Sequence, residues 1–73
     1  MPRAPRVTGS ELVRALTRAG FELDRIKGSH HVLKRSGLTV SVPVHGNRVI
    51  GAGLLAAIMD GAELSVEQLQ DLL

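Results

Sequence analysis

Apolar residues recur three and four apart at Leu12, Val13, Leu16 and Ala19, while Arg14 and Arg18 fall four apart on another face. Just ahead, Thr8-Gly9-Ser10-Glu11 has the spacing of a capping box, with Thr8 capping and Glu11 reaching back. Gly20 is suited to the left-handed stop that ends a helix, so the pattern predicts a first helix over 9–19. The period then changes. Phe21 and Leu23 alternate with Glu22 and Asp24, which predicts a half-buried strand over 21–27. Gly28-Ser29 turns the chain. Residues 30–35 alternate again, sending His30, Val32 and Lys34 to one face and His31, Leu33 and Arg35 to the other. Ser36-Gly37 is a second tight turn, and 38–42, rich in β-branched residues, is a third strand. Connections this short make an antiparallel meander, which Pro43 ends because it has no N–H to give a ladder.

Residues 44–51, with His45, Gly46, Asn47 and Arg48, read as a loop. A second helix follows over 52–60, stopping near Gly61. Ser65-Val66-Glu67-Gln68 offers another capping box for a last helix reaching about Leu72. The expected fold is α+β: α-β-β-β-α with a short extra C-terminal helix, one three-stranded antiparallel sheet under a helical layer. Residues 1–7, with two prolines and two arginines, are expected to be a mobile tail, and 8–73 a single domain. Leu54, Leu55, Ala56, Ala57, Ile58 and Met59 surround the axis of the second helix, so it must be covered on more than one side. The sheet and the last helix account for two sides. Ala56 and Met59 are the candidates for a protein-partner contact, against plain burial within the chain.

Length and composition narrow the class. With 73 residues there is room for one core. Cysteine is absent, which excludes disulfides, thiolate zinc sites and cysteine nucleophiles and fits a reducing interior. No apolar stretch follows the basic start of the chain, and the longest one, 49–59, is about half a membrane span. The expectation is a soluble cytoplasmic protein. Charge is lopsided: residues 1–48 hold nine cations against three acids, a net of +6, whereas 49–73 hold four acids and no cation. A basic segment of this kind suits a polyanion such as nucleic acid.

The chemistry concentrates in 26–35, where a Gly-Ser turn, two histidines and flanking cations lie between two strands. Histidine exchanges protons near neutrality, and a glycine beside it allows close approach of a bulky ligand. Lys27, Lys34 and Arg35 are near enough in sequence to hold a phosphate, and the amides of Gly28 and Ser29 add donors. Lys34 is the expected companion of His30, since alternation sends both to one face. From spacing alone, however, a histidine at a strand edge is more often a surface or packing residue than a catalyst. His31, on the other face, is expected to be half-buried and hydrogen-bonded to backbone. His45 either lines the site or braces the turn after Pro43. No metal site or other cofactor is expected, because His30 and His31 diverge and no acid shares a face with either.

Gly20-Phe21, Gly28-Ser29-His30-His31, Val42-Pro43-Val44-His45, then Gly53, Leu55, Ile58 and Leu64-Ser65 resemble the HicA (YcfA-like) mRNA interferase toxins, from about Thr8 to the C-terminus. The resemblance implies a fold similar to a double-stranded-RNA-binding domain and a metal-independent endoribonuclease acting on mRNA. It implies a HicB-like antitoxin that covers the active site, with His30 as the catalytic histidine and Gly28 as the glycine beside it. The chain departs from the family pattern around the second helix, where Gly51, Ala52, Ala56, Ala57 and Asp60 replace common cations. Val32 and Leu33 stand where an aromatic is frequent. Both departures lower phosphate attraction and base stacking. The free chain is expected to be a monomer. Two other functions stay open: a non-catalytic nucleic-acid-binding module on the same fold, and a protein-interaction subunit acting through an antitoxin-like partner.

Overall fold

The computed structural model describes residues 4–73. Its elements are α1 (Gly9–Arg18), β1 (Glu22–Lys27), β2 (His30–Arg35), β3 (Leu38–Pro43), α2 (Ala52–Ala62) and α3 (Val66–Leu72). The three strands form one antiparallel sheet in the order β1-β2-β3. This is the α+β architecture expected from the pattern.

Both predicted capping boxes form. Thr8 N–H donates to Glu11 Oε1 at 2.9 Å, and Glu11 N–H donates to Thr8 Oγ1 at 3.2 Å. Ser65 and Gln68 repeat the arrangement ahead of α3. The Thr8 backbone N–H, helped by the Thr8 side chain, holds the Glu11 carboxyl below the ordinary value of about 4.5. A depressed carboxylate pKa stabilises the fold above its unfolded value, and that stability is lost as pH falls through the folded value. Glu11→Gln keeps the box with a neutral amide. Acid-unfolding curves of this variant are therefore expected to be flatter than wild type below about pH 4.5.

At the second turn Ser36 (φ 47°) and Gly37 (φ 82°) both take positive φ, as a two-residue type I′ hairpin turn requires. That turn fixes the β2–β3 register, from Arg35↔Leu38 through Val32↔Ser41 to His30↔Pro43. The sheet face under the helices carries His31, Leu33 and Arg35 opposite Val42, Val40 and Leu38; the outer face carries His30, Val32 and Lys34 opposite Pro43, Ser41 and Thr39. α1 and α2 both pack on β3, and α3 packs on α1.

The expected half-buried first strand needs correction. Phe21 is buried but lies just outside β1, and every residue of β1 is exposed. The reason is lateral: α1 and α2 pack on β3, and β1 lies at the opposite edge of the sheet. A bulge also interrupts β1 at Asp24, so that Leu23 pairs with Leu33 but Arg25 with Val32.

Three other expectations change. Of the tail expected over 1–7, residues 1–3 lie outside the described residues, and Val7 is 1% exposed in the core. Ile50 N–H donates to Val7 O at 2.8 Å and Thr8 bridges Val49, so the segment before α1 is tied down as an extended strip. α2 continues past the expected stop to Ala62, with Glu63 (φ 56°) taking the left-handed cap. Gly61 instead sits inside the helix against Val40, where a Cβ would lie 3.4 Å from Val40 Cγ1. Met59, a candidate partner contact, is 5% exposed and belongs to the core with Leu55 and Ile58. Plain burial is thus the outcome for Met59, whereas Ala56 is exposed.

Candidate active site

The site begins at the β1–β2 turn. Gly28 has φ 61°, a value a side chain disfavours, and Ser29 follows with negative φ, the signs of a type II′ turn. Ser29 O accepts from Val44 N–H at 2.8 Å, which fastens the turn to the chain leaving β3. Among the described residues no atom outside the turn lies within 4 Å of where a Gly28 Cβ would be, so the turn is open to a ligand. His30 is the first residue of β2, paired with Lys27 on one side and Pro43 on the other.

On the outer face His30 is exposed, and its Nδ1 lies 3.3 Å from Ser41 Oγ. The hydroxyl can donate or accept, so it can hold either neutral tautomer with Nε2 turned to a substrate. Ser41 was not among the residues the sequence singled out. The two-residue turn at 36–37 would have found it, because that turn's register puts Ser41 on the face of His30, next to its partner Pro43.

The cations divide. Lys27 is exposed and directly opposite His30. Lys34 shares the outer face, but its Nζ lies 3.6 Å from Asp24 Oδ2, and this is the ion pair found among the described residues. Lys27 is therefore better placed beside His30 than Lys34, the companion expected from alternation. Arg35 is taken away from the group. From the helix side of β2 it donates to Ala19 O through Nη1 at 2.6 Å, capping the end of α1, with its guanidinium 5.9 Å from the Phe21 ring centre.

The other two histidines go elsewhere. His31 is half-buried as expected, but its Nδ1 is buried without a hydrogen-bond partner rather than bonded to backbone. His45 is exposed. Its carbonyl accepts from Arg48 N–H at 3.0 Å, closing the loop, and its side chain lines an open groove of about 310 Å³ with Pro43, Arg48, Val49, Gly51 and Leu54. Pro43 joins this groove to the His30 row of the sheet. Arg48, which carries no site motif in the sequence, lines the same groove ahead of α2. Among the described residues no three His, Cys, Asp or Glu side chains gather to hold a metal ion, and no helix is long and apolar enough to cross a membrane.

A family model described as the HicA toxin of bacterial toxin–antitoxin matches residues 9–64, a span that takes in α1, the whole sheet and α2. No curated protein matches the chain.

Proposed function

The chain belongs to the HicA toxin family of bacterial toxin–antitoxin systems, and on that premise we propose that it is an endoribonuclease that cuts mRNA with His30 as general acid–base. Membership makes it the toxin of such a system, with an antitoxin as partner. The observation that carries the finer reading is the exposed His30 on an open sheet face, held at Nδ1 by Ser41 and set opposite Lys27.

RNA brings its own nucleophile, which sets what the protein must supply. His30 Nε2 takes the proton of the ribose 2′-hydroxyl, O2′ attacks phosphorus, and the P–O5′ bond breaks. The imidazolium formed in the first step then supplies the proton that O5′ takes up as it leaves. Lys27 and the amides of the Gly28-Ser29 turn offset the charge that builds on the phosphorane oxygens. Lys34, shared with Asp24, contributes less. Arg48 and His45, beyond Pro43, extend the track for the backbone of a longer strand. The antitoxin is a HicB-like protein covering this face, and mRNA as substrate sets the work in the cytoplasm.

The test is the chemistry of the ends. Purified protein in excess EDTA should cut RNA to leave a 2′,3′-cyclic phosphate and a 5′-hydroxyl, read by mass spectrometry, and a 2′-deoxy nucleotide at the cut should block it. Cleavage of the deoxy substrate, or a 5′-phosphate product, would rule the mechanism out.

A further inference from the structure

The β1 edge carries an unused pattern. From Glu22 to Lys27 it reads acid, apolar, acid, base, apolar, base. Among the described residues its outer edge has no strand partner, all six of its residues are exposed, and Leu23 and Ile26 are 50% and 56% exposed. Apart from Asp24, none of its charged groups enters an ion pair within the described chain.

We propose that β1 is a self-complementary edge, through which two copies of this chain pair antiparallel into one six-stranded sheet. With the two-fold axis between Asp24 and Arg25, Glu22 faces Lys27, Leu23 faces Ile26 and Asp24 faces Arg25, each pair twice. Every charge then meets its opposite and every apolar residue an apolar one. Shifting the register by one residue sets Asp24 or Arg25 against itself.

The bulge makes this register possible. Residues opposed in an antiparallel pair point to the same face, whereas residues three apart on a regular strand point to opposite faces. Here Leu23 pairs with Leu33 and Ile26 with His31, both on the helix side; Glu22 pairs with Lys34 and Lys27 with His30, both on the outer side. The extra residue at Asp24 restores the match of faces that the register requires. Charges and bulges also serve to keep edges apart, but a deterrent edge does not need acids and bases arranged antisymmetrically about its centre.

A seam of one short strand per copy makes a weak dimer, so sedimentation equilibrium should span roughly 10 μM to 1 mM. The wild-type mass should climb from monomer toward dimer. Glu22→Lys and Lys27→Glu, each creating two like-charge pairs, should raise the dissociation constant ~tenfold or more, and Ile26→Lys should do the same. An equimolar mixture of Glu22→Lys and Lys27→Glu should recover association, since both ends of the seam then oppose acid to base. A wild-type chain that stays monomeric throughout, single variants that associate as well as wild type, or a mixture without recovery would each overturn the proposal and leave β1 a protected edge. None of these readings depends on RNA cleavage.

Discussion

His30→Ala is expected to lower RNA cleavage by about 10²–10⁴-fold, the range of one positioned acid–base group, and to abolish growth arrest on expression. The fold should be untouched. His30 is exposed and its side-chain hydrogen bond, to Ser41 Oγ at 3.3 Å, is a long one on the outer face, so circular dichroism and melting temperature should match wild type. That separation of activity from stability gives the substitution its force, because the other two functions predict different patterns. A non-catalytic binding module would show no cleavage to lose and would bind RNA as well after His30→Ala as before. Lys27→Ala would then weaken the complex and reduce its salt slope by about one. An interaction subunit would arrest growth with or without His30. Ser41→Ala adds a finer measurement: if the hydroxyl orients the ring, cleavage falls while RNA affinity stays. If cleavage persists at wild-type rate in His30→Ala, general acid–base catalysis by this residue is excluded.

The elements were legible because their determinants are local. Two capping boxes start two helices, and two Gly-containing pairs turn the meander, each at its expected position. Less was legible wherever one part of the chain meets another. The alternation through β1 is regular in sequence, whereas the bulge at Asp24 exchanges the faces of residues on one side of it. Val7 and Met59 are apolar residues whose burial depends on which segment lies over them, and that is a property of topology. Gly61 looks like a helix stop in isolation; only the closeness of Val40 shows it to be a packing position. In the site the same division holds. The turn-histidine unit is legible in the sequence, but Arg35 is close to it only along the chain. Strand alternation and the end of α1 draw its guanidinium to Ala19 O instead.

Gly9→Ala, at the buried first residue of α1, is expected to be strongly destabilising, although propensity alone argues that it should help. Alanine is favoured over glycine in a helix by about 1 kcal/mol. At Gly9, however, an added Cβ would overlap the Pro43 carbonyl oxygen and come within 2.9 Å of Val44 Cα. Both obstacles are backbone, and neither is free to retreat. Val44 N–H is committed to Ser29 O at 2.8 Å, and Pro43 is the last β3 partner of His30. The alternative is for α1 to lift, which breaks the Thr8–Val49 bridge and uncovers Leu12 and Leu16, both fully buried. Overpacking against structure that cannot yield costs about 3 kcal/mol, a large share of the roughly 4–10 kcal/mol that holds a domain of this size together. The melting temperature should fall by about 12–24 °C. Because Pro43 and Val44 anchor the turn beside His30, the protein that remains folded should also cleave RNA less well, unlike a variant destabilised at α3. A melting temperature equal to or above wild type would mean that the helix and β3 stand farther apart than the structure has them, and the support assigned to the His30 turn would fall with it.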